Sequence, residues 1–266
     1  MTAETGSRFA SGTFTPAPGR GRLGHMLLTH ARVETALTLR HGEQVLLTLL
    51  IPLALLVGLT LLDVLPLGAP DGAARVDWVA PRILALAVMS SAFTGQAIAL
   101  GFDRRYGVLK RLAATALPRW LLVAGRLLAA LVVVVLQVAV LGGVAALLGW
   151  SPSASGLLAG AVLLVVGTLA FGALGVLLGG ALRAEAVLAL ANIVWFVLLL
   201  AGGILLAPAA LPGVVGDLVR LLPSGALAEG LRAALTDGAF TPAPVLVLLA
   251  WAVAAGALAT RTTRLA

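Results

Sequence analysis

Side chains able to do chemistry gather in one short stretch of this 266-residue chain, Asp103 to Arg126, with the order DRRYGVLKRLAATALPRWLLVAGR. Leu109, Leu112, Ala113 and Ala116 share one helical face, while Arg104, Arg105, Lys110 and Arg111 supply charge around it. Such a surface suits charge-assisted contact with another protein and not bond making. A short amphipathic helix held between two long spans is a stiff lever, so displacing it tilts both. The competing reading is a basic loop that only fixes topology.

Elsewhere the sequence offers little for catalysis. The three histidines, His25, His30 and His41, stand 5 and 11 residues apart, a poor spacing for a metal cluster. There is no cysteine, which excludes disulfides, thiolate metal sites and cysteine nucleophiles. The single lysine, Lys110, lies between Leu109 and Arg111, outside any GxxxxGK phosphate loop, so ATP hydrolysis by that route is excluded. Every Asp and Glu falls in a tail, a loop or a helix end. Proton or sodium coupling through a buried carboxylate is therefore not expected. DGAAR, Asp71 to Arg75, is one residue short of a DGxxAR motif and lacks the downstream aspartate pair, so it reads as an ordinary turn-rich loop.

The elements that hold the bridge follow from composition. With 61% hydrophobic and 11% charged residues the chain has too little polar surface to cover a soluble core, and it reads as an all-α membrane protein. Spanning a bilayer takes roughly 20 apolar residues. Six stretches qualify, at about 45–62, 83–102, 121–148, 156–178, 186–206 and 244–259, within one six-span domain over 45–266. All but Arg75, Arg82, Arg220 and Arg232 of the 18 basic residues lie in the tails, the bridge or the 179–185 loop. Both termini are therefore expected in the cytoplasm, at the anionic lipid face, and the charge of +7 needs no nucleic-acid partner. The excess of arginine over lysine points to a high-GC, bacterial coding bias.

Residues 1–22 read as a disordered tail, and 23–44 as an amphipathic helix on the inner leaflet, with Leu23, Met26, Leu27, His30, Val33 and Leu37 on its apolar face. Pro52 is expected to kink the first span unless neighbours satisfy the released carbonyl. Gly156xxxGly160 and Gly175xxxGly179 predict close helix packing. Trp120 and Trp150 read as interfacial anchors. Leu218 to Leu222 and Ala226 to Leu235 are too short to span and read as extracellular half-helices, interfacial or re-entrant, before the last span. Inside the spans the apolar walls are relieved by Thr94, Gln96, Gln137, Thr168 and Asn192, the candidates for a translocation path.

The order of residues in the bridge resembles the type 2 ABC exporter permeases, a group that includes the daunorubicin-resistance-type permeases. Their loop after the second span begins acidic and arginine-rich. A Gly and a Leu-rich helix follow, then a small-Thr-x-x-Pro/Ser-Arg turn and a Gly-Lys/Arg pair. Here those features are Asp103-Arg104-Arg105, Gly107, Leu109-Lys110-Arg111-Leu112, Ala114-Thr115, Pro118-Arg119-Trp120 and Gly125-Arg126. A second match is Pro223-Ser224 followed by Glu229-Gly230-Leu231-Arg232. Asp103-Arg104-Arg105-Tyr106 departs from the more usual acidic-Arg-acidic start.

The resemblance implies that the bridge is the helix coupling the permease to two copies of a separate cytoplasmic ATP-binding subunit. Its contacts would come from Asp103, Arg104, Arg105, Tyr106, Gly107, Leu109, Lys110, Arg111, Leu112, Thr115 and Arg119. ATP and Mg would be bound by that partner and no cofactor by this chain, which would not itself be an enzyme. A second permease chain, identical or paralogous, completes the expected assembly in the cell membrane among lipids. The expected cargo is lipid-like or amphipathic and drug-like. A non-transporting membrane scaffold or assembly factor is the alternative.

Overall fold

The computed structural model describes residues 21–40, 42–62, 74–115, 117–205 and 211–262. The tail expected over 1–22 lies almost wholly outside these residues, as do Ala116, Pro208, Arg264 and most of the DGAAR loop. Among the described residues the structure is helical, with no strand. The helices are α1 (Leu23–Arg40), α2 (Gly42–Leu61), α3 (Arg75–Val88), α4 (Gln96–Arg105), α5 (Val108–Ala113) and α6 (Arg119–Leu147). They continue as α7 (Leu157–Ala181), α8 (Ala184–Ala201), α9 (Gly213–Leu221), α10 (Pro223–Leu235) and α11 (Pro242–Thr262). A π-helical segment, Met89–Gly95, joins α3 to α4.

Five helical segments among the described residues are long and apolar enough to cross a membrane: Arg75–Arg105, Trp120–Leu147, Ala154–Ala181, Ala184–Ala201 and Pro242–Ala259. The chain is a multi-pass membrane protein. The first expected span coincides with α2, of which Thr48–Leu61 is a shorter apolar helix. Its Pro52 is buried and the helix continues on both sides of it.

The second span starts eight residues before its expected start at 83. Asp77 and Arg82 made 75–82 look like loop, yet Arg82 is 2% exposed and the turn around it is helical. Its neighbours, described below, are Trp78 one turn earlier on α3 and charged residues of α10. The fifth span ends at Ala201, short of 206, where Gly202 and Gly203 take over and Gly203 turns with φ of +86°.

Burial identifies the hub. Of the most apolar stretch of the rod formed by α3, the π segment and α4, 72% is buried, against 33% for α6, 28% for α8 and 17% for α11. Helices α2, α6, α7 and α8 pack around this rod, α11 packs on α7 and α10, and the outer faces turn to lipid, where Leu136, Ile193, Phe196 and Leu246 are exposed. The glycine pairs of α7 are used within one chain. A Cβ on Gly160 would lie 2.8 Å from Leu235 of α10, and one on Gly175 would lie 2.7 Å from the Phe93 carbonyl of the rod. Helix α7 therefore meets the backbone of the rod on one side and a side chain of α10 on the other, with no room for a Cβ at either glycine.

Of the two readings for α10, interfacial or re-entrant, burial favours the re-entrant one. Residues Pro223 to Ala228 and Leu231 are buried against α3, α7 and α11, so this short helix enters the bundle, while α9 beside it keeps Val214, Leu218 and Leu221 exposed. Trp150 is partly buried, packed on the core, whereas Trp120 is 56% exposed.

Candidate functional site

The bridge is built by two chain-reversing devices. Gly107 takes φ of +70°, a conformation that costs a side-chain-bearing residue roughly 1–2 kcal/mol, and lets the chain leave α4 and begin α5 at once. Pro118, extended at ψ of 145°, precedes the first turn of α6. Between them Leu109 is 4% exposed and packs with Leu100, Val176 and Ala259, backed by Leu112 and Val123. The apolar face of α5 is thus seated on α4, α6, α7 and α11. Lys110, Arg111, Ala114 and Thr115 are exposed, as is Tyr106, whose ring stacks on Phe102. Arg119 opens α6.

The start of the bridge is committed to the protein itself. Arg104 Nη1 donates to the Gly180 carbonyl at 2.6 Å, and also to those of Leu182 at 3.1 Å and Gly179 at 3.2 Å. A cation there satisfies the orphan carbonyls at the C-terminus of α7 and opposes its dipole. Arg105 pairs with Glu185 in the first turn of α8. Asp103 pairs with Arg126 of α6, which is 4% exposed. Charges that look equivalent in sequence therefore divide: Asp103 and Arg104 are anchored, Arg105 pairs with Glu185 at the exposed surface, and Lys110 and Arg111 are exposed.

Helix α1 joins the same root. Glu34 lies 3.6 Å from Arg126 and 3.7 Å from His30, and His30 Nε2 lies 3.3 Å from the Leu122 carbonyl. His30 also fills the space over Gly125, where an added Cβ would collide with its ring. The stripe of α1 that docks is Met26, Leu27, His30, Glu34 and Thr38, while Leu23, Leu28, Val33 and Leu37 stay exposed. The apolar face expected on one side of α1 is thereby divided. A polar network rather than apolar periodicity sets which face meets α6.

Deeper in the bundle, Gln137 is 2% exposed, accepts from Ser91 Oγ at 2.6 Å and donates to Thr48 Oγ1 at 3.3 Å. Trp195 Nε1 donates to Ser90 Oγ at 2.9 Å, tying α8 to the π segment. Gln96 lines a cavity of about 510 Å³ that runs from Ser91 to the bridge root at Asp103, Tyr106 and Val108. Thr94 is partly buried, and its Oγ1 has no hydrogen-bond partner among the described residues. Thr168 is fully buried and donates to the Leu164 carbonyl at 2.7 Å. Asn192 is exposed on α8 and donates to the Leu188 carbonyl at 2.8 Å. The structure brings Gln96 and Gln137 into one polar region with Ser91 and Thr48, and Thr168 and Asn192 do not join it. Ser90 and Ser91 were not singled out by the sequence, since a serine pair in an apolar span carries no distinctive pattern.

At the opposite end of the rod, Trp78 has the Arg82 guanidinium 5.3 Å and the Arg232 guanidinium 5.0 Å from its ring centroid. Arg232 donates to Glu229 and to Asp237, each at 2.8 Å. Burial acts to lower the pKa of Arg232, but its hydrogen bonds and charge contacts with Glu229 and Asp237 hold it above the usual arginine range. Thr236 Oγ1 donates to the Asp77 carbonyl at 2.8 Å. The Glu229-Gly230-Leu231-Arg232 segment thus fastens α10 to α3.

No individual curated protein matches the chain. A family-level match, to the ABC-2 type transporter, runs over residues 29–236, from the first turns of α1 through the bridge to the end of α10. The match takes in both segments on which the resemblance rested and more than half of the chain, and so the chain belongs to the ABC-2 type transporter family, as the membrane-embedded permease subunit of an ABC transporter.

Proposed function

We propose that this permease is an exporter driven by ATP hydrolysed on a separate cytoplasmic subunit, and that α5 receives the stroke. Two permease chains, identical or paralogous, sit over two ATP-binding subunits that carry the ATP and Mg. Both termini and the bridge lie in the cytoplasm, because that end of the bundle carries Arg104, Arg105, Lys110 and Arg111. The cargo is lipid-like or amphipathic, and it passes polar side chains such as Gln96 and Gln137 in otherwise apolar walls.

The observation that carries this reading is the division of labour in the bridge. Lys110 and Arg111 are exposed, whereas Leu109 is buried in a cluster with residues of α4, α6, α7 and α11 and Arg104 grips the end of α7. A push on α5 then reaches α4 and α6 through the chain, and α7 through Arg104. Loose hinges would dissipate it. Charge-assisted hydrogen bonds contribute roughly 1.5–3 kcal/mol each, enough to keep the end of α7 moving with α4.

The test is co-purification from mild detergent with ATPase assay. The native chain is expected to bring down a P-loop subunit, and Lys110→Glu with Arg111→Glu to lower binding or hydrolysis by roughly tenfold while insertion is unchanged. A clean preparation lacking any nucleotide-binding partner would favour a scaffold.

A further inference from the structure

The π-helical segment Met89–Gly95 interrupts the most buried rod of the bundle near its middle. In a π turn each amide bonds the carbonyl five residues back, so the segment holds more residues than the α-helix on either side would in the same length. Such insertions are rare and concentrate at functional sites. Two bonds to other spans fasten this one. Ser91 Oγ donates to Gln137 of α6 at 2.6 Å, and Ser90 Oγ accepts from Trp195 Nε1 of α8 at 2.9 Å.

One hydroxyl is out of register. Thr35, Thr38, Ser90 and Thr168 each donate to the carbonyl four residues back, at 2.7 to 2.9 Å. By the same rule Thr94 would donate to the Ser90 carbonyl, yet its buried Oγ1 has no hydrogen-bond partner among the described residues. The π winding moves that carbonyl away from the place it holds in an α-helix. The surroundings leave room for a change of winding. On one side Ser91, Gly95 and Gln96 line the cavity of about 510 Å³. On the other, the Ala92 and Phe93 carbonyls face Gly175 of α7, which has no side chain to interlock with them.

We infer that Met89–Gly95 is a register switch. The extra residue moves one turn toward the bridge, and residues 90–95 wind into the α-helix begun by α3, each turning by roughly 100°, the angle of one helical residue. Thr94 then gains the Ser90 carbonyl. Ser90 arrives where Ser91 stood, against Gln137, so α6 stays fastened, while the bond to Trp195 is lost and α8 is released from the rod. The tandem serines are what allow one to replace the other. Three side-chain bonds of the observed register, from Ser90 to the Leu86 carbonyl, from Ser91 to Gln137 and from Trp195 to Ser90, are exchanged for two. The observed register is therefore the stable one until work is done on it. For its trigger, a push on α5 carried through α4, the switch rests on the export reading, but its existence does not.

The chain has no native cysteine, so thiol pairs report cleanly. Gln137→Cys is combined with Ser91→Cys, Ser90→Cys or Ala92→Cys in the purified full chain, and each pair is treated with a short thiol-to-thiol crosslinker. The 91 pair is expected to close fast, the 90 pair slowly but to completion as the shifted register is trapped, and the 92 pair, turned away in both registers, to stay open. Thr94→Val keeps the shape and removes the hydroxyl that the shifted register satisfies. It is expected to slow the 90 pair about tenfold and leave the 91 pair unchanged. In chains without added cysteines, hydrogen exchange of the 89–95 amides is expected to speed up in Ser91→Ala and slow down in Thr94→Val.

A 90 pair that stays open, a 92 pair that closes as fast as the 90 pair, or exchange that moves in the same direction in both variants overturns the switch. With an ATP-binding subunit and a non-hydrolysable ATP analogue added, the 90 pair is expected to close faster. An unchanged rate there overturns the trigger and counts against the export reading, while closure of the 90 pair in the isolated chain leaves the switch itself standing.

Discussion

Arg104 and Arg111 are both arginines of one short basic run, and their surroundings give them different work. Arg104 neutralises the carbonyl end of α7, so Arg104→Ala is expected to destabilise the protein by about 2 kcal/mol. Thermal unfolding in detergent would read this as a lowered midpoint, whereas Arg111→Ala, exposed, leaves the midpoint in place. Gly125→Leu is expected to drive the His30 ring out of its seat and loosen α1, read as faster proteolysis within residues 23–40. Sequence showed these charges but not their partners. Arg104 meets carbonyls some 75 residues away and Arg126 joins α1 to α4, pairings that no local pattern encodes. Arg82 is the clearest case: it read as loop, its contact with Trp78 is local to α3, and the Arg232 guanidinium on that same ring arrives only when α10 enters the bundle.

At the scale of elements, the bounds of the bridge were legible because Gly107 and Pro118 punctuate it, and most spans because continuous apolar runs leave few alternatives. Helix α10 was less legible, since thirteen residues cannot span a bilayer and sequence alone does not distinguish a surface helix from a buried re-entrant one. Gly160 and Gly175 were visible as spacing, while their partners, α10 and the rod, were not. Gly175→Leu is expected to cost about 1–3 kcal/mol through overpacking against the Phe93 carbonyl, measured as lost thermal stability. Gly107→Val should cost a comparable 1–2 kcal/mol, because φ of +70° is strained for a branched residue. Under the coupling reading it should also lower partner-stimulated ATPase activity, since α5 would no longer leave α4 at the same angle.

At the scale of the whole molecule, a buried rod carries its basic bridge at one end and its Trp78–Arg232 fastening at the other. A force applied at the bridge therefore has a continuous, packed route through the bundle. The central claim is that α5 is the surface an ATP-binding subunit touches, on the cytoplasmic side. The chain has no native cysteine, so single cysteines report cleanly. The most direct measurement places Arg111→Cys, carrying a thiol-linked photocrosslinker, in membranes containing the co-expressed ATP-binding subunit, with Ser151→Cys between α6 and α7 as the comparison. The account predicts a crosslink from position 111 to the P-loop subunit, none from position 151, and protection of 111 from an impermeant thiol reagent added outside. A crosslink from 151 alone, or labelling of 111 from outside, would contradict it.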